Sequence, residues 1–184
     1  MEIPVVTLIQ PSGPALAPSL LDQIEAIFFE ASGRTFVPGA ERDAFRERWL
    51  GRYLQGGTDV VVLGVADGGE TVAGYLVGAI ESPVEQERFA DIGYFRGDFA
   101  GLARRFPAHL HINLAPAFRN RGVGARLIET FARHAREAGA AGVHVVTGVG
   151  LRNVRFYERC GFFPRATALW NGRPIVFLGR ELGG

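Results

Sequence analysis

The order of predicted elements indicates a mixed α/β fold, with a largely antiparallel central sheet and helices on both faces. Residues 58–66 and 71–80 are strand segments joined by a four-residue turn, which makes them the clearest hairpin in the chain. Residues 122–138 repeat apolar side chains every three to four positions, as an amphipathic helix does. A buried strand over 143–147 follows this helix, so strands and helices alternate through the second half.

The remaining elements are predicted from local patterns. In chain order they are a strand over 3–10, helices over 16–31 and 41–54, a strand over 109–114, a helix over 153–159, and strands over 166–170 and 175–178. Residues 82–107 show no sustained period. No internal repeat or linker marks a boundary, so residues 1–184 are expected to form one domain.

The composition is that of an ordinary globular protein, with 47% hydrophobic and 21% charged residues. No apolar run approaches the roughly 20 residues that span a bilayer, and the N-terminus does not resemble a secretion signal. The single cysteine, Cys160, cannot form an internal disulfide. A net charge of +1 provides no global attraction for nucleic acid. We therefore expect a cytoplasmic protein that binds neither membranes nor nucleic acid.

A turn at the start of the helix over 122–138 is predicted to bind phosphate groups. Gly122 and Gly124 let the backbone approach a ligand closely, and the first helical turn leaves N–H donors unpaired. The helix dipole adds positive potential there, and Arg119 and Arg121 add cationic side chains.

Other phosphate-binding turns do not fit the sequence. A nucleoside-triphosphate loop needs a lysine, and this chain contains none. The dinucleotide pattern is approached only at residues 148–153, where its third glycine is missing. A standard Walker-type ATPase is therefore excluded, and a dinucleotide-binding fold is disfavoured.

Two motifs in this order resemble the GNAT (GCN5-related N-acetyltransferase) superfamily. The first is Arg119-x-x-Gly122-x-Gly124 after a strand, and the second is Asn153-x-x-x-Tyr157 followed by Glu-Arg-Cys-Gly-Phe. The resemblance covers residues 58–178. The block over residues 107–113 is also similar to the acetyltransferase-like domain that accompanies O-GlcNAcase.

The resemblance implies acetyl-CoA as the cofactor, held by the phosphate turn and by two strands that splay apart, one ending near Leu114 and the other at Thr147. The implied cofactor-binding residues are Leu114, Ala115, Arg119, Asn120, Arg121, Gly122, Val123, Gly124, Ala125 and Asn153. A role of Asn153 as a helix N-cap is an equal alternative.

The resemblance also makes Tyr157 the candidate acid that protonates the departing thiolate, with simple packing in its helix as the alternative. For the base, His109, His111 and Asn113 project from one side of their strand, which we expect to line a cleft. His111 is the first candidate and His109 the second, although a structural histidine is as good an interpretation of each.

Many relatives carry a carboxylate in this region, whereas this chain has Asn113, which cannot titrate. A water-relayed base, or no catalysis, therefore stays open. Glu81 and Asp98 are weaker candidates for the base. Cys160 as a nucleophile is disfavoured against a buried small residue, and the four histidines show no metal-ligand spacing.

Residues 82–107 combine aromatic and arginine side chains and are predicted to be an insertion that forms a lid with anion-recognising arginines, or a dimer contact. The predicted function is acetyl transfer from acetyl-CoA to a small-molecule or protein amine, in a monomer or homodimer. The alternative is an acetyl-CoA-binding module without activity.

Overall fold

The computed structural model describes residues 5–11, 16–55 and 59–183. Its strands are β1 (Thr7–Ile9), β2 (Asp59–Ala66), β3 (Thr71–Ala79), β4 (Ala108–Leu114), β5 (Gly142–Gly148), β6 (Phe163–Trp170) and β7 (Arg173–Glu181). Its helices are α1 (Pro18–Ala31), α2 (Ala40–Trp49), α3 (Gly93–Arg96), α4 (Ala100–Arg105), α5 (Val123–Glu137) and α6 (Arg152–Arg159). Within the described ranges, no helix has the length and apolar character needed to cross a bilayer.

The strands form one sheet in the order β1-β2-β3-β4-β5-β7-β6. Strands β4 and β5 run parallel, with Ala108 opposite Val143 and His109 opposite His144. The β1–β2, β5–β7 and β6–β7 pairs are antiparallel. The prediction of a mixed, largely antiparallel sheet is therefore confirmed, while the splaying of β4 from β5 beyond these pairs stays a prediction.

Several predicted boundaries change. The helix predicted over 41–54 ends at Trp49, because Leu50 leaves the helical region (φ −139°, ψ −57°) and a 3₁₀ turn, Gly51–Tyr53, follows. The closing hairpin is longer at both ends than predicted. The predicted starts of the first two strands, at residues 3 and 58, lie outside the described residues.

Chain contacts divide the protein into two compact units. The first comprises Met1–Gly78 and His111–Phe131, and the second comprises Ala79–Leu110 and Ala132–Gly184. The prediction that residues 1–184 form one domain stays a prediction.

In the first unit, α1 packs by the apolar stripe that its sequence predicts, with Ile24, Ile27 and Phe28 buried. Burying each such side chain stabilises the fold by about 1.5–3 kcal/mol. Gln23 fixes the position of the helix, because its amide donates to the Glu70 carbonyl and accepts from the Val72 N–H, both at 2.8 Å. The α1 helix is thus joined to the β2–β3 hairpin by packing and by two hydrogen bonds.

In the second unit, the aromatic residues of the 82–107 segment are core residues. Phe89, Phe99 and Phe106 are fully buried. The Phe106 ring fills the space over Gly142 and Gly179, where an added Cβ would lie 2.5 Å and 2.9 Å from ring atoms. Hydrophobic burial, which the sequence pattern did not predict, therefore places these rings inside.

The arginines of the same segment pair with carboxylates. Ion pairs join Arg96 to Glu87, Arg104 to Glu85 and Arg105 to Glu181, all at 2.8–2.9 Å. The expectation of an aromatic lid with anion-recognising arginines is wrong, because the rings are buried in the unit and these three guanidinium groups already have anionic partners.

Candidate functional site

The turn before α5 presents an open backbone surface in the first unit. Asn120 and Gly122 both have left-handed backbones, with φ of 60° and 76°. The helix begins at Val123, and the Arg126 N–H donates to the Gly122 carbonyl at 3.2 Å. The amides of Val123, Gly124 and Ala125 therefore occupy the first turn, where a helix has no carbonyl to pair with them.

The space beside Gly122 is open. An added Cβ there would meet no atom of the described chain within 4 Å, and the residues from Arg119 to Gly122 are exposed. A negatively charged ligand can therefore reach the exposed turn, where the helix dipole favours it, whereas Val123 and Gly124 directly behind the turn are buried.

The residues that lead into the turn are held in place by apolar packing and by a backbone hydrogen bond. Phe118 is buried with Ala66 and Ala73 in a small apolar cluster. The Ala115 N–H donates to the Ala73 carbonyl at 3.0 Å. These contacts hold the end of β4 against β3, so the turn has a defined position before any ligand binds.

The two arginines that the sequence placed at the turn differ in their contacts. Arg119 donates through Nε to the Leu114 carbonyl at 3.0 Å and lies 3.3 Å from a Glu30 carboxylate oxygen. No hydrogen bond or ion pair joins the Arg121 side chain to another residue in the described part of the chain. Arg119 therefore supports the turn, and Arg121 has its guanidinium available to an anion.

The second motif, residues 153–162, lies in the second unit and includes most of α6 and the turn that follows it. Gly161 has φ of 83°, and the Phe162 N–H donates to the Tyr157 carbonyl at 3.1 Å, which closes a Schellman cap. Tyr157 is buried, and burial, with a smaller contribution from Cys160, raises the pKa of its phenol above the ordinary value. The phenol therefore stays protonated throughout the physiological range.

Asn153 does not cap its helix. The α6 helix begins at Arg152 with Leu151 in the N-cap position and no side-chain capping bond. The Asn153 amide instead donates to the Thr147 hydroxyl at 2.8 Å, which joins α6 to the end of β5. The N-cap alternative is therefore wrong, and the cofactor-binding role of Asn153 stays a prediction.

His111 lies among aromatic residues of the first unit. Its Nε2 is 3.1 Å from the Tyr53 hydroxyl, and the rings of Trp49 and Tyr53 meet it edge to face at centroid distances of 5.4 Å and 5.2 Å. Burial, and then the nearby Arg52 guanidinium, lower the pKa of His111 to about 4. The imidazole is therefore neutral at physiological pH.

The neighbouring polar residues of β4 differ in burial, since Asn113 is half-buried and His109 is buried. The Asn113 amide donates to the buried Tyr75 hydroxyl at 2.8 Å. His109, in the second unit, is 2% exposed and packs against Phe89, Phe95 and His144. The expectation that this side of the strand lines a cleft is wrong at His109, whose ring lies in an aromatic core.

The other sequence candidates give no stronger site. Glu81 and Asp98 are exposed, and Glu81 accepts a 3.3 Å hydrogen bond from Gln86. Cys160 is half-buried rather than buried, and its carbonyl accepts from Arg180 at 3.0 Å. Sequence reasoning missed Tyr53 and Tyr75 as partners of His111 and Asn113, because no local pattern shows which residues distant in sequence meet a strand.

The lowered pKa of His111 makes stability depend on pH. Between about pH 6.5 and pH 4 the unfolded chain binds a proton at this residue and the folded chain does not, so the free energy of unfolding falls as the pH falls. We expect the protonation of His111 to lower the free energy of unfolding of wild type by up to about 3 kcal/mol across this pH window. His111→Asn removes this loss. Urea unfolding of wild type and of His111→Asn at pH 7 and pH 4.5 measures this difference. An equal decrease in the free energy of unfolding of both proteins would contradict the lowered pKa.

The fold and the turn together define an α/β protein with an exposed, left-handed turn at a helix N-terminus. The sequence matches the model of the acetyltransferase (GNAT) family over residues 21–162. The chain therefore belongs to this family.

Solved structures share the fold across nearly the whole chain. A GNAT-family protein from Desulfovibrio desulfuricans is 19% identical with a TM-score of 0.67, covering 97% of this chain and 100% of that one. A GCN5-related N-acetyltransferase from Kribbella flavida is 15% identical with a TM-score of 0.65, covering 96% and 97%. The yncA protein of Salmonella typhimurium, solved with its cofactor acetyl-CoA, is 17% identical with a TM-score of 0.62, covering 98% and 95%. The comparisons give no support to a closer relationship with the O-GlcNAcase-associated domain.

Proposed function

We propose that this chain transfers an acetyl group from acetyl-CoA to a primary amine by direct attack in a ternary complex. The observation that carries the proposal is the open turn of left-handed Asn120 and Gly122 before α5, in a chain of the acetyltransferase (GNAT) family. The amides of Val123, Gly124 and Ala125 would bind the pyrophosphate, and charge-assisted hydrogen bonds of this kind contribute about 1.5–3 kcal/mol each.

In the proposed reaction the amine nitrogen attacks the thioester carbonyl carbon, and the carbon–sulfur bond breaks. The departing thiolate takes a proton from the Tyr157 phenol. The raised pKa of Tyr157 means that the phenol carries this proton at physiological pH. Leu114 and Ala115, at the end of β4, and Asn153 are proposed to contact the arm of the cofactor.

The proton of the acceptor ammonium does not go to His111. A lysine-like amine has a pKa near 10.4, whereas burial lowers the pKa of His111 below its ordinary value, so the transfer would be strongly uphill. We propose that the acceptor loses this proton to water and attacks as the neutral amine, which makes kcat/KM rise with pH towards the pKa of the amine.

A thiol-release assay with acetyl-CoA and a panel of small amines and lysine-containing peptides tests the function. Turnover with any acceptor supports it. The second candidate is a cofactor-binding protein without turnover, favoured by the low pKa of His111 and by the amide, in place of a carboxylate, at Asn113. Calorimetry with acetyl-CoA separates the two, since binding without thiol release from any acceptor supports the second. Absence of binding would contradict both.

The different contacts of the two turn arginines give a paired prediction. Arg121→Gln removes the available guanidinium, so we expect the affinity for acetyl-CoA to be about fivefold lower than in wild type, as for an exposed charge pair worth about 1 kcal/mol. The affinity of this variant should also depend less on salt concentration than that of wild type. Arg119→Gln breaks contacts to Leu114 and Glu30, so it should lower the melting temperature more and change the salt dependence less. Calorimetry at two salt concentrations checks both variants, and equal salt dependence in all three proteins would contradict the assignment.

A further inference from the structure

The contact between the Tyr53 hydroxyl and His111 Nε2 indicates how His111 takes part in the reaction. This inference rests on the proposed acetyl transfer. Tyr53 is 0% exposed and is placed by the 3₁₀ turn Gly51–Tyr53, after the break in the helix at Leu50. Its hydroxyl lies 3.1 Å from His111 Nε2, which is hydrogen-bond distance.

The hydrogen in this contact belongs to the phenol. A phenol has a pKa near 10 and is a far stronger acid than a neutral imidazole N–H, while an imidazole nitrogen is a far stronger base than a phenol oxygen. The favoured arrangement is therefore Tyr53 O–H donating to the lone pair of His111 Nε2. The remaining hydrogen of the neutral imidazole then lies on Nδ1.

The surroundings maintain this arrangement. Trp49 and Tyr53 meet the imidazole at interplanar angles of 75° and 69°, so a flip of the ring, which would exchange the two nitrogens, would have to push both rings aside. The positive charge of the Arg52 side chain, which is only 8% exposed, disfavours protonation of the nearby His111. His111 is thus held both in its orientation and in its neutral form.

We infer that Tyr53 is a positioning residue that fixes His111 as the Nδ1–H tautomer, so that His111 serves the reaction as a neutral hydrogen-bond donor and not as the general base. In this proposal the Nδ1–H would donate to an oxygen of the bound substrates, and the thioester carbonyl oxygen, which gains negative charge as the amine attacks, is the one whose stabilisation would accelerate transfer. No proton leaves His111 in this role.

Replacements at residue 111 separate a donor from a base. An asparagine amide nitrogen occupies nearly the position of histidine Nδ1 and donates as it does, but it cannot take up a proton. We expect His111→Asn to keep at least tenfold more kcat than His111→Leu. If both variants lose kcat equally while both still bind acetyl-CoA, the donor role is wrong.

Nitrogen-15 NMR of the histidine rings tests the tautomer without substrate. In wild type, the His111 signals, assigned by their loss in His111→Asn, should show Nδ1 protonated and Nε2 unprotonated at pH 7. In Tyr53→Phe the two nitrogens should shift towards a mixture of tautomers, together with a fall in kcat, and a thermal melt shows that the variant is folded. A wild-type spectrum with Nε2 protonated would overturn the inference. An enzyme with no acceptor at all would overturn the proposed function, whereas the tautomer would still be read from the spectrum.

Discussion

Gly122→Glu is expected to abolish measurable binding of acetyl-CoA, with a loss of affinity of 100-fold or more. The new side chain enters the open space beside the turn and brings a negative charge to the place proposed for the pyrophosphate. Loss of two charge-assisted hydrogen bonds alone would cost about 3–6 kcal/mol of binding free energy. Isothermal titration calorimetry with acetyl-CoA and with coenzyme A measures the effect.

The matched control is Gly139→Glu at the other end of α5. Gly139 also has a left-handed backbone, with φ of 84°, and an added Cβ there meets no described atom within 4 Å. Both variants therefore carry a similar strain of about 1–2 kcal/mol, but only one places a charge at the helix N-terminus. Normal binding by Gly122→Glu would show that the phosphate site lies elsewhere.

Tyr157→Phe is expected to lower kcat by about 10²–10⁴-fold, the usual contribution of a positioned general acid, and to leave the affinity for acetyl-CoA nearly unchanged. The phenyl ring can keep the packing of Tyr157 against Phe156 and Phe162, so the change removes the hydroxyl and little else. Because burial raises the pKa of Tyr157, the phenol of wild type stays protonated and the loss should be the same from pH 6 to pH 9. Steady-state thiol release measures kcat across this range.

Tyr94→Phe is the control for loss of a buried tyrosine hydroxyl from the same unit. Tyr94 is 5% exposed and packs against Phe95, Phe99 and Trp170. We expect this variant to change the melting temperature while kcat stays within about twofold of wild type. If Tyr157→Phe behaves like this control, Tyr157 is a packing residue and the acid must be sought elsewhere.

Local patterns predicted most of the fold because they act within one or two turns of chain. The apolar period of α5, the left-handed Gly139 that ends it and the Asn171–Gly172 turn between β6 and β7 all have the predicted structure. Predictions were wrong where burial against distant residues decided the outcome. The rings of the 82–107 segment are core residues, and Phe106 among them fills the space that Gly142 and Gly179 leave.

The sequence by itself determined the turn that would hold the cofactor, since the conformation of Gly122 and the unpaired amides after it depend only on neighbouring residues. It also determined the family, through two motifs of short range. Only the tertiary structure decided the chemical state of the histidines. Tyr53, Trp49 and Arg52 surround His111 and lower its pKa, and aromatic residues enclose His109. The physical reason is that a pKa depends on desolvation and on nearby charges, which residues distant in sequence supply only after the chain has folded.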